Sequence, residues 1–259
     1  MFRKEINYRC IKMVNLKSIK NQLIIFLCGF AIYLSFKDRN GIFLLTTFIC
    51  VISAIGVESV ILFFEHKKPI VTDSSIISGL IIGYVLSSDN PWWIFLLASL
   101  FAISSKHLIH FNKKHLFNPA AFGIFLTVVF FGASTQWKGT YMWHILMPFG
   151  FYFVYKINKL EVIIGYGLTF LALFGIQAIM QKIPLPNIFG YLSYFYIFIM
   201  LIEPKTTPIK PIGKLIFGMT VAILIFMLTE IGVRFDAELC ALLVSNLAAP
   251  LLVPRKRSF

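Results

Sequence analysis

Charge is what this 259-residue sequence has least of: only 14% of residues are Asp, Glu, Lys or Arg, where a soluble domain carries about a quarter. Hydrophobic residues make up 58%, and the mean hydropathy is +0.83. Too little polar surface remains to solvate a globule, so a water-soluble protein is excluded and the chain reads as integral to a membrane. Cysteine is also sparse. Cys10, Cys28, Cys50 and Cys240 form no C-x-x-C pair, which excludes a conventional zinc or iron–sulfur run. Acids are few, 11 against 24 bases, for a net charge of +13.

That excess of bases raises nucleic acid as a partner, but its placement argues for membrane topology instead. Apolar runs at 21–36, 42–64, 74–88, 92–110, 117–133, 141–157, 160–181, 187–203, 211–233 and 236–253 predict ten helices. Allotted to alternating sides, nineteen bases fall on one face and only Lys37, Arg39, Lys138, Lys182 and Arg234 on the other. The positive-inside rule then puts both termini of a multi-pass membrane protein in the cytoplasm, with the lipid bilayer as partner and no role for nucleic acid. The organisation is a basic arm (1–20), a membrane domain (21–254) and a basic tail (255–259). The first helix follows a positive segment, yet no small-residue cleavage site follows Tyr33-Leu34-Ser35-Phe36, so it reads as retained.

Helix punctuation inside the apolar stretch is informative. Asn118-Pro119-Ala120 opens a helix, with Asn as N-cap and Pro at the first position, and so aims free N–H groups at what precedes it. Thr72-Asp73-Ser74-Ser75 opens another, which carries Gly79 and Gly83 four apart on a face suited to close helix approach. That helix stops at Asp89-Asn90-Pro91, and a later span stops in the same manner at Glu203-Pro204. The tenth span opens at Arg234-Phe235-Asp236-Ala237-Glu238. Two halves with five spans each must be inverted relative to one another, an arrangement that places sites between half-helices near the midplane.

Lys106 with Phe117-Asn118-Pro119-Ala120, Glu203-Pro204-Lys205-Thr206-Thr207-Pro208, Lys214-Leu215-Ile216-Phe217-Gly218, and Asp236, Asn246 and Pro250 together carry a resemblance. They resemble the flavin-carrying membrane subunits of the sodium-pumping NADH:quinone oxidoreductase (its B subunit) and the Rnf electron-transport complex (its D subunit), over residues 20 to 254. The resemblance implies an all-α membrane protein of ten transmembrane helices, arranged as two inverted five-helix repeats with broken helices and related in shape to urea and ammonium channels. It implies FMN or riboflavin among the broken helices, electron transfer across the bilayer, and other membrane redox subunits as partners. The chain would be one subunit of a redox-driven translocase rather than a complete enzyme.

The family attaches FMN through a Thr in a motif of the type Asp-x-x-Ser/Thr-Gly-Ala-Thr/Ser. The nearest stretch here is Val128-Val129-Phe130-Phe131-Gly132-Ala133-Ser134-Thr135, with Phe131 at the Ser/Thr position and Val128 at the Asp position. Ser134 is therefore a doubtful attachment point, and non-covalent flavin or no flavin both stay open. Lys106, Asn118, Pro119, Ala120, Thr206 and Thr207 are the candidate cofactor contacts, against a reading in which they only cap a helix and line a solvated loop. Glu58 stands apart from the resemblance: an acid inside the second span costs up to about 2.5–3.5 kcal/mol at the bilayer centre unless it is paired, and it is the candidate ion or proton group. His107, His110 and His115 form a basic interfacial face with no acid or Cys nearby in sequence to complete a metal site. The rival function is a small-solute or ion transporter of the same fold without flavin.

Overall fold

The computed structural model describes residues 18–67, 71–111, 114–203 and 205–252. Most of the basic arm (residues 1–17), Pro204 and the tail 255–259 lie outside the described residues.

Nine α-helices make up most of the described chain: α1 (Ile19–Lys37), α2 (Gly41–His66), α3 (Asp73–Val85), α4 (Trp92–Leu108), α5 (Pro119–Phe131), α6 (Trp143–Lys156), α7 (Leu160–Met180), α8 (Pro211–Ile231) and α9 (Ala237–Ala248). Among them α1, α2, α7 and α8 are long and apolar enough to cross a membrane, while α3, α4, α5 and α9 are apolar but shorter. A ribbon of two antiparallel strands, β1 (His110–Phe111) and β2 (Lys114–His115), turns the chain between α4 and α5.

The short helices begin where their caps dictate. Thr72 opens α3 by accepting from the Ser75 N–H at 3.3 Å, and Asn118 opens α5 by accepting from the Ala121 N–H at 3.1 Å. Asp236 opens α9 through bonds from the Glu238 and Leu239 N–H groups, both at 3.1 Å. At its far end α5 stops at Gly132, whose φ of +65° closes the helix in the left-handed region that glycine enters without penalty.

The stretch 187–203 departs from the uniform span that its composition predicts. A 3₁₀ helix covers Leu185–Tyr191, the chain breaks at Leu192-Ser193, and a π-helical segment covers Tyr196–Met200. Pro184 and Pro186 withhold two N–H donors at the start, which accounts for the tighter first turn.

Packing partners recur along the chain. α2 lies against α3 and α4, and α4 against α5; further on, α7 lies against α8 and α8 against α9. The two sets meet where α5 touches α9. Backbones approach closely at the predicted small-residue face: a Cβ on Gly79 would stand 2.6 Å from the Val51 Cα, and one on Gly83 2.6 Å from the Thr47 hydroxyl. Gly123 of α5 and Gly218 of α8 are tighter, each with a carbonyl oxygen (Ala98 and Val162) 2.2 Å from where a Cβ would sit.

Away from the apolar layer, Asp38 in the α1–α2 turn pairs with Lys138 at 3.1 Å and accepts from the Tyr141 hydroxyl. Partial burial works against its ionisation, but the Tyr141 hydrogen bond and the Lys138 charge outweigh that and hold the carboxyl below its usual range.

Gly123→Val is expected to lower the thermal unfolding temperature in detergent, by an overpacking cost of about 1–3 kcal/mol. Gly29→Ala, where a Cβ meets nothing within 4 Å, should leave the temperature unchanged. Because its folded pKa is depressed, Asp38 contributes stability that is complete above its unfolded pKa of about 4 and is lost as pH falls through the lower folded value. Melting curves across that acid window should therefore show a loss that Asp38→Asn removes.

Candidate functional site

One end of the bundle gathers the polar residues that the sequence singled out. Glu58, near the end of α2, is 1% exposed. It accepts hydrogen bonds from the Thr72 hydroxyl at the start of α3 and from the Lys106 ammonium in the last turn of α4, and the His107 ring stands 3.5 Å away. Three helices thus converge on a single buried carboxylate. The ammonium offsets the cost of burying its charge, as a membrane-embedded acid requires.

A second group adjoins it. His115 of β2 meets Glu203 at 3.0 Å, and the Asn118 amide donates to the Met200 carbonyl at 3.3 Å while its oxygen caps α5. These contacts dock the start of α5 against the segment that follows the π helix. Thr207 donates to the Glu203 carbonyl at 3.0 Å. Lys205 is held below the usual lysine range by desolvation first and then by the Lys20 and Lys106 charges; Glu203 and Glu58 oppose the shift, so all of these charges share one field.

The structure therefore unites Glu58 with Lys106, Asn118 with the Met200 carbonyl and Thr207 with the Glu203 carbonyl. Lys106 pairs with Glu58, and the carboxamide of Asn118 is engaged on both atoms. Pro119 and Ala120 are buried behind that cap. Thr206 and Thr207 are buried as well, so the solvated-loop alternative does not describe them. The Thr206 hydroxyl and one Glu203 oxygen are buried without a hydrogen-bond partner among the described residues. Such orphaned groups are what a bound polar edge would satisfy.

Ser134 lies at the opposite end, in a strap of extended chain. Ser87 N–H donates to the Ser134 carbonyl at 2.9 Å, and the Gln136 and Lys138 N–H groups donate to Val85 and Tyr84, both at 2.7 Å. Asn90 clamps Ser134 from both sides: its amide donates to the Ser134 carbonyl at 2.9 Å, and its oxygen accepts from the Ser134 N–H at 3.0 Å. The Ser134 hydroxyl sits 3.3 Å from the same Asn90 oxygen. Thr135 and Trp137 donate to the Asp236 carboxylate at 2.9 and 2.7 Å. The strap thereby ties the ends of α3 and α5 to the cap of α9. Ser134 is exposed and Thr135 half-buried, and Phe131 holds the position that the resemblance gives to Ser or Thr.

Several pairings were not marked by the sequence pattern. Lys106, Thr72, His107 and Lys214 were singled out, but not their pairings: Glu58 with the first three, and Lys214 with Glu161 at 3.1 Å. Lys214 also donates to the Asn158 carbonyl at 2.7 Å. Glu238 was legible as the second acid of Asp236-Ala237-Glu238, but not as a group facing a cleft. Among the described residues no three His, Cys, Asp or Glu side chains gather closely enough to hold a metal ion; His107 stands beside Glu58 and His115 beside Glu203.

Lys106→Met leaves the Glu58 carboxylate buried and unpaired, and should destabilise the protein by about 3–5 kcal/mol in detergent unfolding. Adding Glu58→Gln to Lys106→Met should recover much of that loss, a coupling read directly from the double-mutant cycle.

A family model described as the NQR2, RnfD, RnfE family matches residues 11–146 and 138–257. Similar proteins include the D subunit of the ion-translocating oxidoreductase complex of Aeromonas salmonicida (strain A449), 33% identical over 94 residues, or 34% of this chain and 27% of that protein. The corresponding protein of Shewanella amazonensis (strain ATCC BAA-1098 / SB2B), with the same name, is 32% identical over 79 residues, covering 30% of this chain and 23% of its own length. The chain thus spans about a quarter of these two relatives. That of Buchnera aphidicola subsp. Baizongia pistaciae (strain Bp) is 22% identical over 265 residues, covering 70% of this chain and 75% of its own. With matched segments that together run from residue 11 to residue 257, the chain belongs to the NQR2, RnfD, RnfE family.

Proposed function

We propose that this chain is a membrane subunit of an ion-translocating redox complex, passing electrons across the cytoplasmic membrane with other membrane subunits as partners. The observation that carries this reading is the family match, which extends over nearly the whole chain. The recurrent packing supports two inverted five-helix repeats. α5 ends beside the start of α9, as the Thr135 and Trp137 bonds to Asp236 require, so the two half-helices run in opposite directions. Counting 187–203 as an interrupted eighth span restores ten, and the charge bias of the sequence then sets both termini in the cytoplasm.

Flavin, FMN or riboflavin, would supply the electron chemistry when bound. The residues of this chain fit it without a covalent bond. The orphaned Thr206 hydroxyl and Glu203 oxygen would meet a pyrimidine edge, which offers both donors and acceptors, and Lys205 stands close by for an anionic group. Thr207, Asn118, Pro119 and Ala120 would form the wall behind, while Lys106 acts through Glu58. Glu58 is the candidate of this chain to hold a proton or a cation in lipid: its carboxylate would take either one when the Lys106 ammonium releases it.

One observation favours the alternative reading, a small-solute or ion transporter without flavin. The strap occupies the stretch where family members carry their attached cofactor, and its hydroxyls are already bonded.

Purification of the complex from its native membrane, followed by an absorbance spectrum and acid extraction, separates the two. Stoichiometric extractable flavin is the expected result; a colourless complex whose chain moves a solute in liposomes would overturn the redox reading. In-gel fluorescence after denaturation should be dark in both the native protein and Ser134→Ala. Native fluorescence that Ser134→Ala or Thr135→Ala abolishes would show a covalent bond. If flavin is extractable, Thr206→Val should lower its retention by about tenfold, the cost of one lost hydrogen bond to a buried polar edge.

A further inference from the structure

At the end of the bundle opposite Glu58, α7, α8, the 3₁₀ helix Leu185–Tyr191 and the start of α9 surround a cleft of about 540 Å³. Its volume lies within the range of small-molecule sites and far exceeds what a bare ion fills. Trp137, Phe174 and Tyr191 contribute aromatic walls, and Asp236, Glu230 and Glu238 contribute carboxylates. Among the described residues no lysine or arginine lines it, although the chain carries 24 of them against 11 acids.

The three acids are not equivalent. Asp236 is engaged by the α9 cap, Thr135 and Trp137, and Glu230 accepts from Gln177. Glu238 has neither a hydrogen-bond donor nor an ion-pair partner among the described residues, yet it stands in the first turn of α9 facing the cleft. Behind it the Tyr196 hydroxyl, on a fully buried side chain, also lacks a partner. Its ring meets the Trp137 ring edge-on at 5.6 Å. A carboxylate without a partner in an aromatic cleft calls for a ligand that brings positive charge, and the Tyr196 hydroxyl buried behind the wall, itself not part of the lining, adds a second unsatisfied polar group nearby.

We propose that this cleft binds a small organic cation, an amine or quaternary ammonium compound that enters from the side of the membrane facing Trp137. Glu238 supplies the counter-charge. Trp137 and Tyr191 present ring faces or edges to the cation, which such rings attract within about 6 Å of their centroids. An inorganic cation is the poorer fit, because no three acidic, histidine or cysteine side chains converge among the described residues and most of the wall is apolar. The proposal does not depend on flavin or on electron transfer.

Isothermal titration calorimetry of the purified chain in zwitterionic nanodiscs tests it, with benzyltrimethylammonium chloride as probe. Benzyl alcohol serves as the neutral aromatic control and sodium chloride as the inorganic one. The expected result is saturable binding of the ammonium probe alone, weakened roughly tenfold or more by Glu238→Gln and a few-fold by Tyr191→Ala at the exposed rim. Asp73→Asn, a carboxylate lost far from the cleft, should leave it unchanged, and melting temperatures confirm that each variant is folded. Three results would overturn the proposal: no saturable binding by the native chain, an affinity that Glu238→Gln leaves intact, or sodium binding lost in Glu238→Gln while the ammonium probe gives none.

Discussion

In hydrocarbon no water is at hand to satisfy a backbone or side-chain polar group, so every interruption of a helix must find its partners within the protein. This chain interrupts its helices repeatedly, and the rest of its architecture follows from how each break is satisfied. Asn118, Thr72 and Asp236 close the exposed starts of α5, α3 and α9 with their own side chains. The ends of α3 and α5 satisfy one another through the strap from Ala133 to Lys138, which pairs with Tyr84 to Ser87 much as a short β ladder would. Breaks of this kind leave polar side chains at defined depths, and both groups with functional promise lie beside one.

The two ends differ in how far their charges are compensated. Near the end of α2, Glu58 is matched by Lys106, with Thr72 and His107 at hand, so two other helices, α3 and α4, hold its carboxylate. At the start of α9, Glu238 has no such match among the described residues. The contrast separates a charge that belongs to the resting structure from one that awaits a partner. The orphaned Thr206 hydroxyl occupies an intermediate place, buried beside satisfied groups yet unbonded itself.

Local signals were readable from the sequence, and distant pairings were not. Asn118-Pro119 announced the start of α5, Thr72 that of α3, and Gly79 with Gly83 the face that α2 covers, because caps and small-residue spacing act within one or two turns. Glu58 was conspicuous as an acid in an apolar run, but its partner Lys106 lies 48 residues on and no periodicity links them. The stretch 187–203 is apolar enough to read as a span; hydropathy measures lipid compatibility and is blind to helix type. The strap was illegible for another reason. Six residues are too few to show alternation, and its bonds run to the backbone of α3 and to side chains such as Asn90 and Asp236.

The strap also has a mechanical meaning. By joining α3, α5 and the cap of α9 through main-chain bonds and one shared carboxylate, it welds these pieces into a single plate that tilts together or not at all. Across the bundle, the side-chain hydrogen bonds among the described residues that join the start of α5 to the π helix and the residues after it are those of His115 with Glu203 and of Asn118 with the Met200 carbonyl. Any opening between the two sets of helices would therefore pivot on the welded edge and gape at the lightly fastened one, where Glu58, Lys106 and Thr206 would be the first groups to meet water.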